Sequence, residues 1–219
     1  MTIIFDLDGT LFQTEPNTAS AIRRIAAECG ADALTDAEIL YALRLPPRGY
    51  YDYLKTRLNV VDFERFRTRL RELERASIRE RGELFDGVME MLQLLCDRGH
   101  TLEICSNGTM EYIDIVIGRT GIRRYFSRIV SAREYPTKAE CLREMIHLNR
   151  NTVYIGDAGH DFEAAQANKL PFIAALYGYG SPDEFQGAAF EVNSPAKIAN
   201  CILQMTPDRT KPFIVERSD

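Results

Sequence analysis

The sequence predicts an α/β fold, and three observations carry that reading. Ile3-Ile4-Phe5 is a short apolar run of the kind a buried parallel strand shows. Residues 11–85 read as helix throughout. From residue 86 helix and strand patterns alternate, which implies a doubly wound parallel sheet with helices on both faces. The expected architecture is therefore a Rossmann-like core over 1–13 and 84–206, an inserted α-helical cap over 14–83, and a loosely ordered tail over 207–219.

In the helical stretch Pro16 suits a first turn, Ala19, Ile22, Ile25 and Ala26 recur at helical spacing, and Gly30 is a stop. Thr35-x-x-Glu38 is a capping box ahead of Ile39, Leu40 and Leu43, and Pro46-Pro47 breaks that helix. A third helix covers about 50–58. The next spans about 62–80, with Phe63, Phe66, Leu70, Leu73 and Ser77 on one stripe and Gly82 closing it. Seven arginines and five acids stand between the stripe positions, so near to balance that they read as a solvated face laced with ion pairs.

In the alternating part a helix over 88–98 ends at Gly99, and a strand over 101–105 runs into Ser106-Asn107-Gly108-Thr109. A further helix leads through Gly121 to a strand around 128–130. Thr137-x-x-Glu140 is a second capping box, with Lys138 in its first turn. A strand over 153–155 runs into Gly156-Asp157-Ala158-Gly159-His160-Asp161, and a helix through Ala164, Ala165 and Ala167 precedes a strand over 172–176. There is no internal repeat.

The 219 residues are 45% hydrophobic, enough for one α/β domain with an insertion. A net charge of −5 offers no global positive field, so nucleic acid is not an expected partner, and an anionic substrate needs a metal or a few placed cations. The five cysteines, odd in number and without CxxC spacing, fit a reducing cytoplasm. Acids at positions 6 and 8 interrupt the first apolar run, so no signal peptide is expected, and no stretch is long and apolar enough to suggest a membrane partner. The expected assembly is a monomer or homodimer.

In doubly wound sheets the site lies at the carboxyl ends of the strands. Asp6 and Asp8 follow the first strand and share a side if its extended geometry continues; paired carboxylates there need a cation, a proton or a substrate. Two solvated acids in a strand-end turn are the plain alternative. Ser106 and Asn107, then Lys138, then Asp157 and Asp161 stand at later strand ends. Clustered carboxylates with one lysine make an oxygen-ligand site for a hard cation, for which Mg²⁺ fits. Ser106 with the backbone N–H groups of Asn107 and Gly108 suits phosphate oxygens, and Lys138 adds a point charge at a helix N-terminus.

These residues stand in order as four motifs: Asp6-Leu7-Asp8-Gly9-Thr10-Leu11, Ser106-Asn107-Gly108, Lys138, and Gly156-Asp157-x-x-x-Asp161. On them the sequence resembles the haloacid dehalogenase superfamily of phosphohydrolases, up to about residue 205. Tyr177-Gly178-Tyr179-Gly180 and the helical insertion look like its phosphoglycolate-phosphatase-like branch with a small helical cap. The resemblance implies that Asp6 is the nucleophile and forms an aspartyl-phosphate, and that Asp8 protonates the leaving oxygen and later activates water. It implies Mg²⁺ on Asp6, the backbone carbonyl of Asp8 and Asp157, with Asp161 reaching it directly or through water. The implied function is a phosphatase for a small phosphorylated metabolite. A phosphomutase like beta-phosphoglucomutase on the same scaffold is the near alternative, and a non-catalytic binding module that kept the fold is the distant one.

Departures from the family pattern sharpen particular expectations. Gln13 stands where many relatives have an acid. Lys169 stands where a glycine often ends the helix before Pro171, so Asn168 or Lys169 is expected to be left-handed. Arg44 and Arg48 flank the Pro-Pro turn of the cap and read either as contacts to a leaving group or as surface arginines. Lys55 resembles the imine-forming lysine of phosphonate-cleaving relatives, but those lack the second acid of the first motif; with Asp8 present, Lys55 reads as a surface residue. His160 reads as a supporting residue rather than a ligand, and Cys105 as a buried thiol.

Overall fold

Strand β1 (Thr2–Phe5) is buried along its whole length, and its side chains alternate between two apolar layers. Ile3 and Phe5 enter one cluster and Ile4 the other, the period-2 pattern of a central strand. The computed structural model describes residues 1–45, 47–146 and 151–205. Among these, five more strands complete one sheet: β2 (Thr101–Ser106), β3 (Phe126–Ser131), β4 (Thr152–Gly156), β5 (Phe172–Ala175) and β6 (Phe190–Val192). All pair in parallel, in the order β3-β2-β1-β4-β5-β6. The winding reverses between β1 and β4, where Phe5 lies level with both Ile104 and Ile155.

Helices α1 (Thr14–Glu28), α2 (Asp36–Arg44), α3 (Pro47–Arg57) and α4 (Phe63–Arg81) stand between β1 and β2 and share a third apolar cluster, to which Ile22, Ile39, Leu54, Phe66 and Leu70 belong. The Thr35–Glu38 capping box forms as expected, and Asp62 caps α4 by accepting from the Arg65 N–H at 3.1 Å. Helix α3 begins at Pro47, three residues earlier than the sequence reading, because the fixed φ of proline suits a first helical position. The two strands of chain that join these helices to the sheet meet: Gln13 N–H donates to the Glu83 carbonyl at 3.0 Å and Phe85 N–H to Leu11 at 3.1 Å. Gln13 adds a side-chain bond to the Leu84 carbonyl at 2.7 Å, which an acid at this position would not donate.

Helices α5 (Val88–Asp97), α6 (Met110–Thr120) and α9 (Pro195–Met205) cover one face of the sheet, and α7 (Lys138–Ile146) and α8 (Gly159–Ala167) the other. Strand β6 and helix α9 were not expected from sequence. Ile198, Ala199, Cys201 and Ile202 form the buried stripe of α9, a face built partly of small side chains and so a faint periodic signal. The expected tail over 207–219, and Pro46, lie outside the described residues. No helix among the described residues is long and apolar enough to cross a membrane.

Lys169 closes the α8 turn with φ 56°, as the missing glycine predicted. A left-handed non-glycine residue costs about 1–2 kcal/mol, and glycine returns about 0.5–1 kcal/mol of that as unfolded-state entropy. Lys169→Gly is therefore expected to stabilise the exposed turn by roughly 0.5–1 kcal/mol. A urea titration would show a raised midpoint at unchanged slope; a lowered midpoint would mean the turn is not strained.

Candidate active site

The switch point of the sheet puts two acids side by side. Asp6 directly follows β1, and its N–H donates to the Ile155 carbonyl at 2.8 Å, so the chain still runs along β4 as it delivers the carboxylate. Asp157 directly follows β4, and Asp161 lies in the first turn of α8. One carboxylate oxygen from each of Asp6, Asp157 and Asp161 lies within 4.8 Å of the others, and all three residues are buried. Lys138, the first residue of α7, reaches between them: its Nζ lies 2.6 Å from Asp6 Oδ1 and 2.5 Å from Asp161 Oδ1. Tyr154 OH also donates to Asp161 Oδ1, at 2.9 Å, and the Ala158 N–H to Oδ2 at 3.2 Å.

The charges do not balance. Burial, with Asp161, Asp157 and Asp8 nearby, holds Asp6 well above the usual carboxylate range although Lys138 pulls the other way. Asp157 is pushed up to about 8 by burial and by Asp161. At Asp161 burial is outweighed by Lys138, and its carboxyl is held low. The Lys138 ammonium is itself held above its ordinary value, because Asp161 and Asp6 outweigh burial. If all three buried carboxylates ionise against one ammonium, two negative charges remain, which a divalent cation with oxygen ligands would neutralise. The donor set fits Mg²⁺.

Asp157 is gripped by the Tyr177-Gly178-Tyr179-Gly180 loop. The Tyr179 N–H donates to its Oδ2 at 2.8 Å and the Gly180 N–H to its carbonyl at 2.9 Å, while Thr10 Oγ1 donates to Oδ1 at 3.1 Å. The loop backbone comes so close that a Cβ on Gly178 would lie 2.3 Å from Asp157 Cβ, and one on Gly180 would lie 2.1 Å from its carbonyl oxygen. These glycines are there for close approach. Gly9, at φ +80°, adds the left-handed turn that leaves room for the same carboxylate.

Asp8 is held apart from this cluster. Its Oδ1 accepts from Tyr112 OH at 2.5 Å and from Thr14 Oγ1 at 2.7 Å. Burial raises its pKa, while Tyr112 and Thr14 favour the ionised form. Tyr112 was missed by the sequence reading. It sits on the first turn of α6, where its N–H donates to the cap residue Thr109 at 3.3 Å, so a cap three residues before an aromatic was the available signal.

In the second motif one of the expected donors already has a partner. Ser106 is fully buried, and its Oγ accepts the Gly108 N–H at 3.0 Å, so that N–H is engaged by the local serine turn rather than turned outward. Asn107 and Gly108 do line the cavity, with the Asn107 carbonyl accepting from Arg133 at 2.9 Å.

That cavity, about 990 Å³, runs from Asp6, Asp8, Asp157 and Asp161 up to the helical insertion. The insertion contributes Arg44, Tyr50, Tyr51, Arg71, Glu74 and Arg75. Arg44 Nε donates to the Tyr179 carbonyl at 2.6 Å, and Arg75 pairs with Glu111 at 2.8 Å. Arg48 is not among the lining residues; its side chain is 96% exposed, 3.8 Å from Asp52. The α4 face that sequence alone reads as solvated is thus divided. Arg67 and Arg69 pair with Glu64, Glu28 and Glu72 at the surface, while Arg71, Glu74 and Arg75 turn inward. Glu74 accepts from Tyr50 OH at 3.0 Å and is pushed up to about 7 by burial. Lys55 is exposed over the Phe63 ring, as expected. His160 lies on the cavity wall 3.8 Å from Asp161 Oδ1, beyond hydrogen-bond reach. Cys105 is buried, its Sγ 3.5 Å from that of Cys141.

The chain is 24% identical over 187 residues to a phosphoglycolate phosphatase of Agrobacterium fabrum, covering 80% of each protein. It is 26% identical over 196 residues to a 5′-nucleotidase of Pseudomonas aeruginosa, covering 84% of this chain and 86% of that protein. Its fold superposes with a TM-score of 0.84 on a predicted phosphoglycolate phosphatase from Haemophilus somnus, at 17% identity over 92% of this chain and 97% of that one. Residues 3–175 match the haloacid dehalogenase-like hydrolases, and the chain belongs to that family.

Proposed function

We propose that the chain is a Mg²⁺-dependent phosphatase that hydrolyses a small phosphorylated metabolite through an aspartyl-phosphate on Asp6, in the manner of a phosphoglycolate phosphatase. One observation carries this reading: two acids two residues apart, Asp6 and Asp8, occupy different environments, one in a charged cluster with Lys138 and the other on neutral hydroxyls. Mg²⁺ held by Asp6, Asp157 and Asp161, with the Asp8 carbonyl, would supply the positive charge that lets a phosphate dianion approach a carboxylate.

The chain's own groups do the rest. Lys138 holds Asp6 in place, favours its ionised form against the opposing effect of burial, and adds a second positive charge at the helix N-terminus. An Asp6 oxygen attacks phosphorus as the bond to the leaving oxygen breaks, and Asp8 gives that oxygen its proton. Asp8, now ionised, takes a proton from water; the resulting hydroxide attacks phosphorus, the bond to Asp6 breaks, and phosphate leaves. Burial raises the Asp8 pKa and so favours the protonated form it needs at the start.

The helical insertion would act as a lid over 14–83, hinged where residues 11–13 meet 83–85, with Arg44 at its closing edge. All five cysteines are free, as a cytoplasmic setting allows.

The decisive experiment is a panel of phosphorylated metabolites, phosphoglycolate and nucleoside monophosphates among them, assayed for phosphate release with Mg²⁺. No release from any of them would overturn the reading. Asp6→Asn is expected to abolish turnover and phosphoenzyme formation without loss of fold; near-parental hydrolysis of p-nitrophenyl phosphate would exclude Asp6 as nucleophile. Stripping with EDTA is expected to remove activity and added Mg²⁺ to restore it. Full activity after stripping would take the metal out of the mechanism. Because Arg44 lines the cavity and Arg48 does not, Arg44→Ala should raise KM for a substrate with a second anionic group, by roughly tenfold for a lost charged contact, and leave Arg48→Ala at the parental value. The same rise in both variants would show that the cavity edge is not what they share with substrate.

A further inference from the structure

We propose that Tyr112 is the positioning residue of Asp8, fixing which of its oxygens exchanges a proton with the leaving group. The inference rests on Asp8 being the proton donor of the reaction proposed above.

Tyr112 OH and Thr14 Oγ1 both end on Asp8 Oδ1, at 2.5 and 2.7 Å. They come from different elements, Tyr112 from α6 against the sheet and Thr14 from the first residue of α1 in the insertion. Two donors on one oxygen pin the carboxyl rotamer, with Oδ2 the atom that neither of them occupies; the Ser106 hydroxyl is a further hydrogen-bond partner of Asp8. A carboxyl free to rotate would present either oxygen, or neither, to the leaving group, and loss of alignment by a fraction of an ångström is costly in proton transfer. Tyr112 and Asp8 both line the cavity, so the hydrogen bond between them lies at the site itself.

The placement is built rather than incidental. Thr109 caps α6 by accepting the Tyr112 N–H, which sets the ring on the first turn. Gly108 clears its path: a Cβ there would stand 2.7 Å from Tyr112 Cδ1 and 3.3 Å from Ile113 Cγ1. Ser131 Oγ holds the same glycine from behind, donating to its carbonyl at 2.6 Å. The hydroxyl is thus carried to Asp8 by a rigid turn, with the ring packed against the main apolar cluster.

A double-mutant cycle over Tyr112→Phe and Asp8→Asn tests this, with phosphoglycolate and p-nitrophenyl phosphate as probes. Tyr112→Phe keeps the ring and its packing, so thermal unfolding should match the parent closely. It is expected to lower kcat on phosphoglycolate roughly tenfold, the worth of one hydrogen bond to a charged group, with KM little changed. The loss should be smaller on p-nitrophenyl phosphate, whose leaving group needs less help from a proton. In the Asp8→Asn background the same substitution should cost nothing further, because a residue acting through Asp8 has nothing left to position. Equal losses in both backgrounds, or on both probes, would overturn the role of Tyr112 while leaving Asp8 as the donor. An Asp8→Asn protein at parental rate would instead overturn the assignment of Asp8 itself, and the role of Tyr112 with it.

Discussion

One ammonium group organises the site. Lys138 stands between Asp6 and Asp161 where side-chain exposure is 7% or less at all three positions. Carboxylates so deeply placed are tolerated only when paired, and removing one partner of a buried pair costs about 3–5 kcal/mol. Yet Lys138 also begins a helix, where the dipole disfavours a cation. Stability alone would not choose a lysine at this position. Its place there is explained by the two buried carboxylates it meets, Asp6 and Asp161, and suits the anionic ligand of the proposed reaction.

The sheet makes that convergence possible. Because β1 and β4 are neighbours at the point where the winding reverses, the residues after them, Asp6 and Asp157, come together though 151 positions apart in sequence. The backbone then has to come close enough to hold Asp157 without side chains intervening, which Gly9, Gly178 and Gly180 permit. Rigid strands supply the acids, and glycine-rich turns supply the donors that orient them.

Much of this was legible in the sequence because it is local. An apolar run followed by Asp6 and Asp8, a serine turn after a strand, and a capped helix opening on Lys138 can each be read within ten residues, and left-handed Lys169 follows from one absent glycine. What escaped depends on tertiary placement. Tyr112 is an ordinary helical aromatic until α6 is laid beside Asp8. Arg44 and Arg48 look alike in sequence, but one ends α2 over the cavity and the other lies in the first turn of α3, facing solvent. Arg71, Glu74 and Arg75 share a charged pattern with surface neighbours, and only the packing of α4 against α1 and α6 shows which of them turn inward.

The cavity therefore divides its labour by origin. Its floor comes from strand ends and carries buried carboxylates in excess of its one ammonium, an arrangement that calls for a metal cation. Its roof comes from the insertion and is mixed: Arg44, Arg71 and Arg75 against Glu74, with Tyr50 and Tyr51 between. A floor of that kind handles the phosphoryl group of any monoester and distinguishes none of them. Discrimination has to come from the roof, where an arginine already engaged, Arg44 on the Tyr179 carbonyl or Arg75 on Glu111, must exchange that partner for one on the substrate or keep it while using its remaining donors. A leaving group that offers such arginines a planar anion gains more from them than a neutral one can. Glu74, pushed up to about 7 by burial against the opposing pull of the Tyr50 hydroxyl, can accept a neutral hydroxyl without imposing a full negative charge on its neighbours. Asp8 lies where floor meets roof, tied to α6 through Tyr112 and to the insertion through Thr14, so the orientation of its carboxyl depends on both.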